Sequence, residues 1–170
     1  EAQVQAAFTA IRERFARLDG LANIAGGFRW ETVAEGALST WEAMFAINLR
    51  TAVVASRAAL PLLIESRGSI VNIGAVAAAR AGAGFGPYAA AKAGVARLTE
   101  ALAEEVKGRG VRVNAILPTI IDTPANRRDM PTADFGAWAS PGEIAAAVAF
   151  LLSPAASGIT GALLPVSGRV

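Results

Sequence analysis

The sequence has 170 residues, of which 54% are hydrophobic and 18% are charged, and its formal net charge is +2. This composition predicts one compact domain with a sizeable core and argues against intrinsic disorder. Histidine and cysteine are both absent, which excludes disulfide scaffolds, Cys/His metal sites, thiolate catalysis and histidine-dependent triads. No metal site is predicted.

The basic residues and the apolar runs point neither to nucleic acid nor to a membrane. The arginines occur in small groups rather than along one stripe, as a nucleic-acid surface would require. The longest apolar stretch, residues 52–64, is interrupted by Ser56, Arg57 and Pro61. No signal peptide opens the chain, so the sequence favours a cytoplasmic protein.

The chain opens directly in a helical pattern. Apolar residues recur at steps of three and four without a capping residue before them, at Val4, Phe8, Ile11, Phe15 and Leu18. A helix that starts uncapped within its own pattern suggests that an upstream segment is missing. Residues 18–24 then form a short apolar run closed by Gly26 and Gly27, which predicts a buried strand.

Capping signals predict two long helices in the middle of the chain. Residues 39–67 begin with a capping box of Ser39 and Glu42 and end before Gly68. Residues 88–107 follow a proline and precede a glycine, which is the usual asymmetry of helix ends.

A second capping box, formed by Ser140 and Glu143, predicts a last helix that runs to about residue 152. The remaining strands are predicted at residues 69–73, 111–117 and 161–166. Strands that are apolar throughout and alternate with helices indicate an α/β fold, in which a doubly wound parallel sheet lies between two helical layers.

Ligands of open sheets of this type bind beyond the carboxyl ends of the strands. Those ends are predicted at residues 25–27, Gly74–Ala75 and Pro118–Thr119. Two of the three are small or glycine-rich, as the close approach of a ligand to the backbone requires. The side of the sheet that carries the site is therefore predicted before any residue is given a role.

Tyr88 is the only tyrosine, and Lys92 follows it four residues later on the same helix face. Both lie at the edge of the buried stripe, where a lysine is partly desolvated. An ammonium beside a phenol lowers the tyrosine pKa from about 10, and such a tyrosine can exchange a proton with an alcohol or a carbonyl. An interfacial tyrosine beside a surface lysine is the alternative interpretation of this spacing.

Longer motifs add a family resemblance. The run GSIVNIGAVAAARAGAGFGPYAAAKAGV, residues 68–95, and the run VRVNAILPTIIDTP, residues 111–124, resemble the short-chain dehydrogenase/reductase family. LANIAGG, residues 21–27, is similar to the family's strand-four motif N-N-A-G, and the resemblance covers essentially the whole chain. It implies a Rossmann-like fold and an oxidoreductase that uses NAD or NADP to act on a small-molecule substrate.

The resemblance also implies roles for individual residues. Tyr88 is the expected general acid, and Lys92 is expected to lower its pKa and to bind the nicotinamide ribose. Asn48 is expected to hold a proton-relay water, with a buried structural amide as an equal alternative. Besides Tyr88 and Lys92, the expected cofactor-binding residues are Asn23, Ala25, Gly26, Pro118, Ile121 and Thr123, with Ile121 acting through its backbone.

Three positions depart from the family pattern, namely Ile24, Thr119 and Ala75. Ala75 stands where the family has its catalytic serine, and a methyl group cannot hydrogen-bond a substrate carbonyl. Together with PTIIDTPANRRDMPTADFGAW, residues 118–138, this alanine resembles the quinoid dihydropteridine reductases, although a decayed active site would carry the same change. On the substrate side, Phe28 and Trp30 are candidates for stacking on a flat heterocycle, with core or lid aromatics as the alternative.

No glycine-rich turn of the form T-G-x-x-x-G-x-G occurs in the sequence, and AGAGFG, residues 81–86, is predicted as a substrate-side loop. By resemblance, residues 1–170 form a single domain that corresponds to the C-terminal portion of the family fold, truncated at its N-terminus. Three interpretations follow: part of a complete enzyme, a catalytically inert module for oligomerisation or binding, or a half-domain with its own activity. A homodimer or homotetramer is expected to form through the Ser39 and Tyr88 helices.

Overall fold

The structure, a computed structural model, describes residues 1–170 and contains one sheet of four parallel strands. The strands lie in chain order in the sheet: β1 (Gly20–Asn23), β2 (Ser69–Ile73), β3 (Arg112–Pro118) and β4 (Leu163–Val166). Every neighbouring pair is parallel, so each connection must cross from one end of the sheet to the other. Helices occur in all three crossovers.

Six α-helices surround this sheet: α1 (Ala2–Phe15), α2 (Leu38–Met44), α3 (Thr51–Ser66), α4 (Gly86–Val106), α5 (Pro124–Asp129) and α6 (Pro141–Leu152). The α3 and α4 helices pack on one face of the sheet, and α1 packs against α3. The α6 helix packs on the other face of the sheet. The predicted Rossmann-like fold, with a doubly wound parallel sheet between helical layers, is confirmed.

The core has one half on each face of the sheet. Ile70 of β2 and Val113 of β3 pack with residues of α3 and α4, whereas the next residue of β2, Val71, packs with Ile116 and with Leu151 of α6. Successive strand residues point to opposite faces, so a strand covered on both sides must be apolar throughout. This requirement explains the continuous apolar runs in the sequence.

The α2 and α3 helices form one continuous helix that is widened by six π-helical residues, Phe45–Arg50. The helix begins one residue before the predicted start, because Ala37 is the extended N-cap residue and makes no side-chain capping bond. Ser39 therefore lies inside the first turn, and the predicted capping box at Ser39 and Glu42 is wrong. At the other end, Arg67 takes the left-handed conformation, with φ 56°.

Residues 38–66 are long and apolar enough, by length and composition alone, to cross a membrane. A helix was predicted here at residues 39–67, and its apolar stretch at residues 52–64 was not expected to span a membrane. In the structure this helix packs on β1, β2 and α4. A third of its most apolar 18-residue window is buried.

The predicted capping box at Ser140 is confirmed. The Ser140 Oγ accepts a hydrogen bond from the Glu143 amide at 3.2 Å, and the Glu143 carboxylate accepts one from the Ser140 amide at 2.7 Å. The strand predicted at residues 69–73 is confirmed at the same bounds, and the other three strands lie within the predicted runs or one residue beyond them. The short α5 helix was not predicted.

Buried polar side chains form a chain across the sheet face beneath α4. Asn23 Nδ2 donates to Asn72 Oδ1 at 2.8 Å and to Ser56 Oγ at 3.0 Å. Asn72 Nδ2 donates to Thr99 Oγ1 at 2.9 Å, and the Thr99 hydroxyl donates to the Val95 carbonyl. Asn23 and Asn72 are also paired residues of β1 and β2. The polar groups are therefore satisfied within an otherwise apolar layer, as burial requires.

Candidate active site

Three parts of the chain meet beyond the carboxyl ends of β1 and β2. Gly26 follows β1, Asn48 lies in the π-helical segment, and Lys92 reaches in from α4. A Cβ atom at Gly26 would lie 2.7 Å from Asn48 Oδ1 and 3.4 Å from Lys92 Nζ, so only glycine fits without displacing a neighbour. The predicted side of the sheet therefore brings together three of the predicted site residues.

Tyr88 and Lys92 lie one turn apart on α4, with the ammonium 5.9 Å from the centroid of the phenol ring. The Lys92 side chain is buried, with 5% of the residue exposed, and its Nζ donates to the Ile73 carbonyl at 2.7 Å. Burial lowers the pKa of Lys92 to about 8. The lysine therefore carries its charge near neutral pH but loses its proton far more readily than a solvated lysine does.

The expected effect of Lys92 on Tyr88 is not found in this structure. Burial raises the pKa of the Tyr88 phenol, and no charged group offsets that rise. The ammonium is held by the Ile73 carbonyl and faces the phenol ring. The prediction of a lowered Tyr88 pKa is therefore wrong for the chain without bound ligands, and only the adjacency of the two groups is confirmed.

Asn48 acts as a clamp on the loop that follows β1. Its Nδ2 donates to the Gly27 carbonyl at 3.0 Å, and the Gly27 amide donates to its Oδ1 at 3.1 Å. Nδ2 also donates to the Met44 carbonyl, and the residue is 2% exposed. These bonds fit the structural alternative, in which a buried amide is satisfied by the backbone. The role of Asn48 in a proton relay stays a prediction.

An aromatic cluster lies beside Tyr88. The Phe28 ring meets the Tyr88 ring edge-on, with centroids 5.1 Å apart, and lies 5.0 Å from the Phe85 ring. Trp30 does not join this stack, because its indole Nε1 donates to the Ala83 carbonyl at 3.0 Å. The loop after β1 is thereby connected to residues 81–86, the segment predicted as a substrate-side loop. The sequence analysis missed this connection.

Ala75 lies two residues beyond the end of β2 and is 4% exposed. Its backbone is extended, and its carbonyl accepts a hydrogen bond from the Ala78 amide in a short 3₁₀ turn, Val76–Ala78. A methyl group at this position can contact a substrate but cannot donate to it.

The other predicted cofactor residues fall into two groups. The Asn23 amide is bonded within the sheet layer, so a cofactor contact of this residue rests on its backbone. Beyond β3, the Thr123 hydroxyl caps α5 by accepting from the Asn126 amide. The Ile121 carbonyl accepts from Asn126 Nδ2, whereas the Ile121 N–H makes no hydrogen bond within the protein. Pro118 is buried at the end of β3.

These features fit the nicotinamide end of a dinucleotide. The backbone at Gly26 lies close against Asn48 and the Lys92 ammonium, and the Ile121 N–H is an unused donor. A polar ribose and a carboxamide need donors of this kind next to a small, close backbone.

Comparisons with known proteins agree with this arrangement. A family model described as enoyl-(acyl carrier protein) reductase matches residues 1–168. D-threitol dehydrogenase of Mycolicibacterium smegmatis is 40% identical, over 98% of this chain and 68% of that protein. A 3-oxoacyl-[acyl-carrier-protein] reductase of Vibrio cholerae is 37% identical, over 97% of this chain and 71% of that protein. An inactive 2-(S)-hydroxypropyl-CoM dehydrogenase of Xanthobacter autotrophicus is 34% identical, over 99% and 80%.

The family model covers nearly the whole chain. The dehydrogenase of M. smegmatis and the reductase of V. cholerae each match this chain over more than two thirds of their own lengths. The half-buried tyrosine and the buried lysine lie at the edge of the sheet where such a fold binds its ligands. The chain belongs to the short-chain dehydrogenase/reductase family of NAD(P)-dependent oxidoreductases.

Proposed function

We propose that this chain catalyses hydride transfer between NADH or NADPH and a carbonyl or quinonoid pterin-like compound, with Tyr88 as the general acid. The observation that carries the proposal is the phenol of Tyr88 beside the buried Lys92 ammonium at the carboxyl edge of the sheet. Two relatives are named for reactions of a polyol and of a 3-oxoacyl group, and both are interconversions of an alcohol and a ketone.

The residues of this chain supply the proton and the positioning, whereas the nicotinamide cofactor supplies the hydride when it is bound. The Tyr88 hydroxyl donates its proton to the substrate atom that becomes negative during reduction. The phenolate left behind shares a helix face with the Lys92 ammonium, which lies 5.9 Å from the centroid of the ring. Lys92 would also bind the nicotinamide ribose, and backbone groups at Gly26, Ala25 and Ile121 would contact the rest of that end.

Contacts of the cofactor beyond β3 are proposed for Pro118, Ile121 and Thr123. They lie in the segment that connects β3 with α5. The cytoplasm is the proposed location of the reaction. The present residues do not discriminate NAD from NADP.

The pterin alternative rests on the substrate side of the site. Ala75 provides no hydroxyl group, so the substrate must be oriented by its shape and by the flat rings around it. Phe28 is 53% exposed beside Tyr88 and offers such a surface. A flat heterocycle suits these neighbours better than a flexible ketone does, and residues 118–138 resemble the quinoid dihydropteridine reductases.

A second candidate function is a binding or oligomerisation module without catalysis. Two observations favour it: Ala75 lacks the hydroxyl that the family uses, and one relative is described as inactive. The Tyr88 and Lys92 geometry argues against it, since a buried ammonium is costly and is kept where it has a task.

In either case we propose a homodimer or homotetramer that forms through α2 and α4. A groove of about 880 Å³ runs between these helices and is lined by apolar residues, among them Trp41, Phe45 and Ala90. Glu42 and Arg50 also line this groove. A two-fold axis through it would bring the acidic residue of one copy towards the basic residue of the other, which favours a second copy of this chain as the occupant.

The proposed function is tested by titrating NADH and NADPH into the purified 170-residue chain while the cofactor fluorescence is recorded. We expect binding of at least one of the two. Reduction is then assayed with a diketone, a 3-oxoacyl thioester and a quinonoid dihydropterin. The absence of binding at about millimolar cofactor, which corresponds to a binding free energy weaker than about 4 kcal/mol, would exclude catalysis by this chain and leave the module.

The Tyr88→Phe variant separates the acid from the binding site. Removing one hydroxyl leaves the ring in place, so we expect cofactor affinity within about twofold of the parent and a loss of reduction of at least about a hundredfold. Turnover that survives this substitution would show that another group donates the proton.

A further inference from the structure

The Phe28 ring is held against Tyr88 although it lies in a loop without regular structure. It meets the phenol ring at 86° and the Phe85 ring at 50°. More than half of Phe28 is exposed, so burial in the core does not account for its position. Ordering such a side chain costs conformational entropy, which neighbouring contacts must offset.

The backbone is held on both sides of Phe28. On one side, the Asn48 amide bonds both the N–H and the C=O of Gly27. On the other side, the Trp30 indole donates to the Ala83 carbonyl, and the Glu31 amide donates to the Gly84 carbonyl at 2.9 Å. We call the contacts of Trp30 and Glu31 with Ala83 and Gly84 the loop clasp.

Gly84 makes the loop clasp possible. Its φ is +78°, a conformation that other residues rarely adopt, and a Cβ atom there would overlap the Trp30 indole ring. The indole therefore lies directly against the backbone of the loop before α4. The close approach of the indole requires a glycine at position 84. It holds the loop that carries Phe28 against the loop that precedes Tyr88.

The charged groups near Phe28 are directed elsewhere. Arg29 and Glu31 flank the clasp, but both are bonded to residues around the start of α2 (Thr40 and Ala37). On the helix of Tyr88 itself, Lys92 is the charged neighbour of the phenol. The Phe28 ring, supported by Phe85, therefore faces Tyr88 from the loop after β1.

We propose that Phe28 is a positioning residue, whose ring fixes the orientation of the Tyr88 phenol and keeps water from it, and that the loop clasp holds Phe28 in place. The inference rests on the proposed function of Tyr88 as the acid. Its physical basis stands independently, because a ring that excludes water from a phenol disfavours the phenolate. In agreement, burial raises the pKa of Tyr88.

Tyr88 is the only tyrosine in the chain, so the near-ultraviolet absorbance of tyrosinate reports its ionisation alone. The experiment is an alkaline titration of the full chain, without substrate or cofactor, for the parent and for Phe28→Ala. We expect the Tyr88 pKa to fall by roughly 0.5 to 1 pH unit in the variant. Phe15→Ala removes another exposed phenylalanine, at the end of α1, and should leave the titration unchanged.

Two further variants separate positioning from a loss of folding. Trp30→Phe keeps a six-membered aromatic ring but removes the indole N–H and the rest of the five-membered ring, so a smaller shift in the same direction is expected with an unchanged circular dichroism spectrum. Gly84→Ala should open the clasp and give a shift close to that of Phe28→Ala. An unchanged Tyr88 titration in folded Phe28→Ala, or in both clasp variants, overturns the proposal.

The outcome is distinguishable from a failure of the proposed function. If the titration shifts as expected but no substrate is reduced, Phe28 positions Tyr88 and the assigned reaction is wrong. If reduction occurs and Phe28→Ala leaves both the titration and the kcat pH profile unchanged, the reaction stands and the positioning role is wrong.

Discussion

Lys92 and Lys107 are the two lysines of the chain, and their surroundings differ. Lys92 is buried beneath the loop after β1 and bonded to the Ile73 carbonyl, whereas Lys107 is exposed and paired with Glu104. Burial lowers the pKa of Lys92 from 10.5 to about 8. The folded chain therefore gives up this proton at a lower pH than the unfolded chain does.

This difference predicts a pH-dependent stability. Between about pH 8 and pH 10 the unfolded chain binds more protons at Lys92 than the folded chain does. The contribution of Lys92 to the free energy of unfolding therefore rises with pH over this range, by about 2 kcal/mol. At lower pH both states are protonated, and the cost of burying the charge is fully present. Urea unfolding across this range should show the rise in the parent and in Lys107→Met but not in Lys92→Met. Equal pH slopes in all three would contradict it.

Position 75 gives a prediction about the substrate. If the substrate is a quinonoid pterin oriented by its flat faces, a hydroxyl added by Ala75→Ser has no missing bond to restore. We expect turnover within about threefold of the parent, a change in activation free energy below about 1 kcal/mol. Ala79→Ser, at an exposed position of the same loop, is the matched control. A gain of tenfold or more would indicate a ketone reductase that has lost its serine.

Two Ser-x-x-Glu patterns that look alike in the sequence behave differently in the structure. Ser140 precedes Pro141, and a residue before proline is held in the extended conformation that an N-cap needs. Ser39 has no proline after it, and the helix starts at Leu38 instead. The pattern predicts a cap only where the neighbouring backbone is also constrained.

This contrast can be measured by substitution. Ser140→Ala should lower the free energy of unfolding by about 1 kcal/mol, because it leaves the first-turn amides of α6 without their acceptor. Ser39→Ala should change it by less than about 0.5 kcal/mol, since alanine is favoured inside a helix. A loss at Ser39 as large as that at Ser140 would contradict the assigned helix start.

Local sequence patterns predicted the elements better than they predicted the site. Continuous apolar runs located all four strands, because a strand covered on both faces has few other compositions available. The π-helical segment at Phe45–Arg50 was not predicted, because such segments are rare and the capping and spacing rules used for the sequence describe only α-helices. The spacing of Tyr88 and Lys92 predicted their adjacency, but the Tyr88 pKa depends on Phe28, which reaches it from a distant loop.

At the scale of the whole molecule, the apolar groove between α2 and α4 predicts self-association. Ala90 is exposed on α4 and lines this groove, so Ala90→Glu places a charge where the second copy would pack. We expect this variant to sediment at a lower mass than the parent. Ala145→Glu, at an exposed position of α6, should leave the sedimentation unchanged. A parent that sediments as a monomer would contradict the proposed assembly.

The asparagine chain beneath α4 has a consequence for how the strands find each other. Apolar side chains of similar size tolerate several alignments of β1 on β2, but the Asn23 and Asn72 amides meet in only one. A slip by one residue would break the hydrogen bond between the two amides and turn every side chain of β1 to the opposite face. Misaligned pairings of β1 and β2 are therefore penalised when α3 and α4 cover this layer and remove water from it.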